Sequence, residues 1–225
     1  MEHIKAVIFD LDNTLLDRTT TFRRFAERFM KHYFSHIESA DLDLLLERLI
    51  VLDEDGYKNK PVLFAELLNE FPWNKERNKP LVDDLMEYYA ENYVISAVLM
   101  EQAEEVITHA KGKYKMGIIT NGRNAVQYGK IDHLGIRDHF DVILVSEEAG
   151  SKKPDPRIFQ LAMERLNVRP EECLFVGDHP INDVEGAYIL GMHTIWMKVN
   201  QPWSENNTAK PLHTIHQIQE LLSIM

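Results

Sequence analysis

Five short apolar runs, each followed by helix-like sequence, constrain the fold of this chain more than any other feature. They are residues 6–9, 116–119, 142–145, 174–176 and, more weakly, 194–197. Continuous runs of this length that are rich in Val and Ile are typical of strands buried on both faces. Between them, helical periodicity predicts amphipathic helices over residues 100–110, 125–134 and 157–166. The alternation predicts an α/β fold in which helices flank a parallel sheet.

The stretch from residue 16 to residue 98 breaks this rhythm. Its aromatic residues recur at helical spacing, as in Phe22, Phe25, Phe29 and Tyr33, and we interpret that stripe as the core of a helical insert. We therefore predict two domains: residues 1–15 and 99–225 form the α/β core, and residues 16–98 form an all-helical insert. After a polar loop over residues 201–210, we expect a closing helix over residues 213–222.

Charge and composition exclude several classes of partner. The formal net charge is −11, so a nucleic-acid backbone or an anionic membrane would be repelled and neither is expected as a partner. No apolar run approaches the ~20 residues of a membrane helix, and the first run is too short for an export signal. We expect a cytoplasmic protein, and the sequence leaves its oligomeric state open. The single cysteine, Cys173, is expected to be a buried small hydrophobe rather than a nucleophile.

Polar residues stand where the apolar runs end. These residues are Asp10 and Asp12 after the first run, Thr120 and Asn121 at the second, and Asp178 and Asp183 after the fourth, with Lys153 between the third and the fourth. Ligands of open parallel sheets bind beyond the carboxyl ends of the strands. Taken singly, such residues often end strands or cap helices, and we give Asp155, which precedes Pro156, the structural role of a helix N-cap. Their joint occurrence predicts one polar site.

These groups suffice for phosphoryl transfer. A carboxylate can accept a phosphoryl group, while a second carboxylic acid protonates the leaving alcohol and then deprotonates water. Asp10 and Asp12, two residues apart on extended chain, point to the same side. Mg²⁺ prefers oxygen ligands, which Asp10 and Asp178 could supply. A lysine and a threonine hydroxyl can bind the remaining phosphate oxygens.

At these residues the sequence resembles the haloacid dehalogenase (HAD) superfamily over about residues 4–197. Its first motif, Asp-x-Asp-x-Thr, is matched by Asp10-Leu11-Asp12-Asn13-Thr14, and Thr120-Asn121-Gly122, Lys153-Pro154-Asp155 and Gly177-Asp178-His179-Pro180-Ile181-Asn182-Asp183 resemble the second, third and fourth. All four in order form a specific signal. The resemblance implies a Rossmann-like core with a helical cap between the first and second motifs, which is where the insert lies.

The resemblance also implies roles for these residues. The nucleophile would be Asp10, the general acid/base Asp12, the phosphate contacts Thr120, Asn121 and Lys153, and the Mg²⁺ ligands Asp10, the backbone carbonyl of Asp12, and Asp178. Asp183 would support the metal ligands from behind or orient Lys153. Only its place before Pro154 favours Lys153 over Lys152. His179 is assigned no role.

We therefore expect a magnesium-dependent phosphatase that hydrolyses small phosphorylated metabolites through an aspartyl-phosphate. A haloacid dehalogenase would use the same nucleophile but needs neither metal nor a second acid, so Asp12, Asp178 and Asp183 argue against it. A phosphomutase would need a cap that reorients a bisphosphorylated intermediate. A non-catalytic binding module would be expected to lack a motif acid, and none is missing here.

The insert leaves two further alternatives open. A phosphonate hydrolase would need a cap lysine, for which the candidates are Lys31, Lys58 and Lys60, although exposed lysine is the ordinary interpretation of all three. Three arginines could face a second anionic group of the substrate, although a helix surface is their more ordinary place; they are Arg18, Arg23 and Arg24. A domain inserted directly after the loop of Asp10 and Asp12 can close over the site and exclude large substrates.

Overall fold

The apolar runs form a parallel six-stranded sheet in the order β3-β2-β1-β4-β5-β6. In this computed structural model, which describes residues 3–76 and 78–225, the strands are β1 Ala6–Phe9, β2 Lys115–Thr120, β3 Val142–Val145, β4 Cys173–Gly177, β5 His193–Met197 and β6 His213–Ile215. Every residue of β1 and β4 is buried, as expected for central parallel strands. Because the order is that of doubly wound Rossmann-like sheets, the predicted fold class is confirmed.

The chain crosses the middle of this sheet between β1 and β4. It leaves β1 for β2 and β3 on one side, then returns to place β4 beside β1 on the other. Ligands of open α/β sheets bind at such a reversal, beyond the carboxyl ends of the strands. The topology therefore directs attention to the residues that follow β1 and β4.

By its internal packing the chain divides into two units, one made of the residues up to Asp17 with Val98–Met225 and the other of Arg18–Ala97. The helices of the second unit, called the insert below, are α1 Arg18–Tyr33, α2 Ser39–Asp53, α3 Lys60–Glu70 and α4 Val82–Val94. In the first unit, called the core unit below, Asp17 N donates to Val98 O at 2.9 Å and Met100 N to Leu15 O at 2.8 Å. The two chain segments that lead to and from the insert are thus paired side by side.

Aromatic rings form the interior of the insert. Phe25 and Phe29 of α1 are fully buried. Phe25 packs edge to face on Tyr89 at 5.2 Å between ring centroids, and Phe29 stacks on Phe64 at 6.3 Å. Such pairs add to the stabilisation that burial of their apolar area provides. The aromatic stripe is therefore the insert's own core, as expected.

A buried ionic cluster lies beside these rings. Arg18 Nη2 is 2.6 Å from Asp53 Oδ2, Lys60 Nζ is 2.6 Å from Asp53 Oδ1, and Arg18 Nη1 is 3.3 Å from Asp55 Oδ1. A Cβ on Gly56 would lie 2.6 Å from the Arg18 guanidinium, so this glycine, at φ +92°, leaves room for it. The helix-surface interpretation of Arg18 is wrong, because its guanidinium pairs with carboxylates inside the insert.

The other cationic candidates of the insert have different surroundings. Arg23 is exposed and pairs with Glu47, and Arg24 and Lys31 are also exposed. Lys58 and Lys60 are only partly exposed and pair with carboxylates, Lys58 Nζ lying 2.5 Å from Glu66 Oε2. The expectation of exposed lysines is therefore wrong for Lys58 and Lys60.

The remaining helices belong to the core unit. They are α5 Ala103–Lys111, α6 Asn124–His133, α7 Ser146–Ala149, α8 Pro156–Leu166, α9 Gly186–Tyr188 and α10 Leu221–Ile224. At the start of α8, the Asp155 side chain accepts a hydrogen bond from Arg157 N at 3.0 Å and Pro156 occupies the first turn. The predicted N-cap role of Asp155 is confirmed. Among the described residues, no helix is both long enough and apolar enough to cross a membrane.

The closing helix expected over residues 213–222 is wrong. His213–Ile215 instead forms β6, which pairs in parallel with β5, and α10 begins only at Leu221. Ile215, Ile218 and Leu221 are buried at intervals of three residues, which imitates a helical pattern. The hydrogen bonds that β5 offers at its edge decide the local conformation.

Candidate active site

Three carboxylates converge at the carboxyl ends of β1 and β4. Asp10 and Asp178 follow adjacent strands paired in register, and Asp10 N donates to Val176 O at 2.9 Å. Asp10, Asp178 and Asp183 are buried, and each offers an oxygen such that the three oxygens lie within 4.8 Å of one another. The pairing of the strands therefore brings together acids that are far apart in the sequence.

Asp183 reaches this cluster from a single wide helical turn, Pro180–Glu185. Its Oδ2 accepts a hydrogen bond from His179 N at 2.9 Å. A Cβ on Gly177 would lie 2.5 Å from the Cβ of Asp183, so only glycine at position 177 leaves space for this carboxylate. The glycine of the fourth motif therefore admits Asp183.

His179, for which the sequence indicates no role, caps that turn. Its Nδ1 accepts hydrogen bonds from Ile181 N and Asn182 N, each at 3.1 Å. Burial lowers the pKa of the His179 imidazole, which favours the neutral ring that can accept at Nδ1. His179 therefore has a structural role in shaping the loop that carries Asp178 and Asp183.

Lys153 lies among the acids. Its Nζ is 2.5 Å from Asp10 Oδ1 and 2.7 Å from Asp183 Oδ1, and its side chain is 2% exposed. Burial is the largest single influence and opposes the charge, but Asp10 and Asp183 together raise the pKa of Lys153 above its ordinary value. The ammonium therefore stays protonated. Lys152, by contrast, is exposed.

The same burial acts on Asp10 in the opposite sense. It raises the pKa of the Asp10 carboxyl from its ordinary value to about 7, against the lowering effect of the Lys153 ammonium and with a smaller raising effect from Asp183 and Asp12. A cation held by these acids would favour the ionised form. The cluster thus carries more carboxylate than its one ammonium compensates.

Thr120 is the last residue of β2, and Asn121 follows it. Asn121 Nδ2 donates to Lys153 O at 3.0 Å, and Lys153 N donates to Asn121 Oδ1 at 2.9 Å. The amide therefore holds the backbone of Lys153, and a direct phosphate contact by Asn121 stays a prediction. Thr120 is buried, and its Oγ1 accepts a hydrogen bond from Gln127 Nε2.

Asp12 has a different set of neighbours from the other acids. Lys130 Nζ lies 2.7 Å from each of its carboxylate oxygens, and Gln127 Nε2 donates to Oδ2 at 2.9 Å. The sequence motifs did not predict that Gln127 and Lys130, which lie on α6, belong to the site. Their signal was available, because Gln127 and Lys130 share the buried face of α6 with Val126 and Ile131. A lysine on the buried, mainly apolar face of a helix can indicate that it pairs with a buried functional acid.

The donor set fits Mg²⁺. All side chains of the acidic cluster offer carboxylate oxygens, which a hard divalent cation prefers. Three buried carboxylates around one ammonium leave a negative excess that a divalent cation would compensate. Behind the cluster, Trp196 Nε1 donates to Asp178 O at 2.8 Å and fixes the backbone of that acid.

Comparison with known proteins agrees with this geometry. The family model described as "haloacid dehalogenase-like hydrolase" matches residues 4–188. A glyceraldehyde 3-phosphate phosphatase of Pyrococcus furiosus is 31% identical over 199 residues, which cover 88% of this chain and 82% of that protein.

Two solved structures share the fold. The HAD-hydrolase YfnB of Bacillus subtilis, solved with magnesium bound, superposes with a TM-score of 0.75 at 24% identity, covering 99% of this chain and 98% of its own. A 2-haloacid dehalogenase of Pseudomonas syringae superposes with a TM-score of 0.66 at 25% identity, covering 98% and 97%. The Pyrococcus relative is a phosphatase and the Pseudomonas neighbour is a dehalogenase. The fold alone therefore does not distinguish the two reactions, and the donor set of the site must do so.

Proposed function

The chain belongs to the haloacid dehalogenase-like hydrolases, and from that premise we propose how its core unit hydrolyses phosphomonoesters. It is a magnesium-dependent phosphatase of the HAD type. One observation carries the proposal for its residues. Asp10, Asp178 and Asp183 each offer one oxygen within 4.8 Å of the other two, and Lys153 Nζ is 2.5 Å from Asp10 Oδ1.

Asp10 is the proposed nucleophile. Its carboxylate attacks the phosphorus, the bond from phosphorus to the leaving oxygen breaks, and an aspartyl-phosphate forms. Asp12 donates its proton to the departing oxygen and then takes a proton from the water that attacks the same phosphorus. Hydrolysis releases inorganic phosphate and restores the Asp10 carboxylate.

The remaining groups bind and compensate charge. Asp10, Asp178 and the backbone carbonyl of Asp12 would hold Mg²⁺, which relieves the repulsion between the anionic nucleophile and the anionic phosphate. Lys153 and Thr120 are proposed to bind phosphate oxygens. Asn121 supports this by holding the Lys153 backbone from both sides. Asp183 supports it by pairing with the Lys153 ammonium at 2.7 Å.

The proposed substrates are small phosphorylated metabolites. The related P. furiosus protein acts on glyceraldehyde 3-phosphate, and the net charge of −11 disfavours polyanions. The insert begins at Arg18, a few residues after Asp12 in the chain. We propose that it acts as a cap and selects among leaving groups.

Phosphate release tests this function. The wild type is assayed on p-nitrophenyl phosphate and on triose, sugar and nucleoside monophosphates, with Mg²⁺ or with chelator, and 2-chloropropionate tests dehalogenation. We expect Mg²⁺-dependent release that falls by about 10³-fold or more in Asp10→Asn, since covalent catalysis is removed. The matched control is Asp132→Asn, which alters an exposed acid paired with Arg137. Chloride release, or full activity of Asp10→Asn after deamidation is excluded, would overturn the proposal.

A further inference from the structure

Gln127 and Lys130, both on α6, each donate hydrogen bonds to the Asp12 carboxylate. Three residues apart on the helix, they project from the same face. Lys130 Nζ lies 2.7 Å from both Asp12 oxygens, and Gln127 Nε2 lies 2.9 Å from Oδ2. Both oxygens of the Asp12 carboxylate therefore accept hydrogen bonds, which restricts the rotation of the carboxylate as well as its position.

Lys130 occupies a place that an apolar side chain would ordinarily fill. Its side chain is 1% exposed, whereas Asp12 is 25% exposed. An ammonium buried to this extent is costly unless it is paired, and an apolar residue of similar volume would often stabilise the core equally well. A lysine at position 130 therefore needs a reason beyond packing, and its contact with the proposed acid/base residue supplies one.

Gln127 links Asp12 to the second motif. The same Nε2 that contacts Asp12 also donates to Thr120 Oγ1 and, at 3.3 Å, to Asn121 O. A Cβ on Gly122, at φ +154°, would lie 2.8 Å from Cγ of Gln127. Glycine at position 122 thus makes space for Gln127 to reach the ends of β1 and β2 together.

We propose that Gln127 and Lys130 are positioning residues that orient the Asp12 carboxylate for proton transfer. The inference rests on the proposed acid/base role of Asp12. In it, the proton moves from Asp12 to the leaving oxygen and later from water to Asp12, while Lys130 keeps its own protons and acts only through Asp12. A misoriented carboxylate would hinder proton delivery to a poor leaving group most, because a good leaving group departs without it.

The test compares leaving groups in the full-length protein. Lys130→Met is assayed with Mg²⁺ on an alkyl phosphate and on p-nitrophenyl phosphate. We expect kcat/KM, which reports the phosphoryl transfer to Asp10, to fall about 10²-fold or more for the alkyl ester and less than about tenfold for the aryl ester. Lys130→Arg should recover much of the alkyl activity, because a guanidinium can also contact both oxygens. Lys111→Met, an exposed lysine of the core unit, is the matched control.

Further variants keep each outcome decisive. If circular dichroism shows that Lys130→Met does not fold, Gln127→Leu tests the second hydrogen-bond donor to Asp12. It is expected to lose more activity on the alkyl ester than on the aryl ester, by a smaller factor than Lys130→Met. Asp12→Asn separates the two claims, because equal losses of kcat/KM on both esters in this variant would contradict the role of Asp12 as the acid. If Asp12→Asn discriminates between the esters but folded Lys130→Met loses both equally, only the positioning role is overturned, and Lys130 is a structural residue.

Discussion

Two buried ionic clusters, one in each unit of the chain, differ in their charge balance. In the insert, the cations of Arg18 and Lys60 face the carboxylates of Asp53 and Asp55. Among the described residues of the core unit, three carboxylates, each with one oxygen within 4.8 Å of the others, surround the single ammonium of Lys153. Both clusters bury charge at a cost in solvation, but only the first compensates that charge with its own side chains.

The difference separates a structural cluster from a functional one. A compensated cluster can hold α1, α2 and α3 of the insert together without a ligand. An uncompensated cluster is a place where a cation and a reacting anion complete the balance, and perturbed pKa values are typical of such sites. The raised pKa of Asp10 has this origin, because burial and neighbouring acids outweigh one ammonium.

The largest expected effect is that neutralising one acid changes the free energy of unfolding in opposite directions in the two clusters. Asp53→Asn leaves two buried cations with too little negative charge and should lower the free energy of unfolding by about 3–5 kcal/mol. Asp178→Asn removes one of three mutually repelling carboxylates and should raise the free energy of unfolding measured in chelator. Urea unfolding followed by circular dichroism measures both.

The exposed pair of Arg23 and Glu47 provides the control for that comparison. Glu47→Gln should change the free energy of unfolding by less than about 0.5 kcal/mol. Destabilisation of similar size in Asp178→Asn and Asp53→Asn would show that both clusters serve stability alone, and the contrast between them would be lost.

The next effect concerns the one cation of the core cluster. Lys153→Met should lower kcat about 10²–10³-fold, since it removes the ammonium expected to meet the developing charge on the phosphoryl group. Lys152→Met, which changes the exposed neighbour, should keep nearly full turnover. Steady-state assays on p-nitrophenyl phosphate compare the two, and the reverse ranking would show that the wrong lysine is placed in the site.

The smallest effect is expected at a compensated pair of the core unit in which Lys5 is exposed and Glu172 is buried. Lys5 Nζ lies 2.6 Å from Glu172 Oε1, and this hydrogen bond, with a second from Arg169 N, lowers the pKa of Glu172 to about 2. The contribution of this pair to stability is fully present above pH 4.5, the ordinary pKa of the Glu172 carboxyl, and is lost as the pH falls towards its lowered pKa of about 2. The difference in stability between the wild type and Glu172→Gln should therefore shrink over that range, in thermal unfolding at a series of pH values. A constant difference would mean that the pair does not titrate as described.

Much of the fold could be predicted from local patterns in the sequence. The five apolar runs and the helical insert follow from periodicity, and the strand ends place Asp10 and Asp178 at one edge because parallel strands share their direction. β6 could not be predicted, since three residues with one buried side chain carry little strand signal. Its formation depends on the free edge of β5.

The parts of the site that local patterns missed depend on long-range contacts. The hydrogen bond from Lys130 to Asp12 joins residues 118 positions apart. The hydrogen bond from Trp196 Nε1 to Asp178 O joins β5 to the residue that follows β4. In the insert, the burial of Arg18 could not be predicted either, because its partner Asp53 is 35 residues away. Residue types show what chemistry is available, but the partners of buried charges are set by the fold.

Chemical trapping of the intermediate tests the central claim most directly. The Mg²⁺-loaded enzyme is quenched during turnover, reduced with borohydride and digested, and the peptide that contains residue 10 is analysed by mass spectrometry. An acyl phosphate on Asp10 is reduced to the alcohol, so the account predicts homoserine at position 10 in samples quenched during turnover and intact aspartate in samples without substrate. Trapping at another carboxylate, or continued turnover in which residue 10 is never modified, would contradict the account.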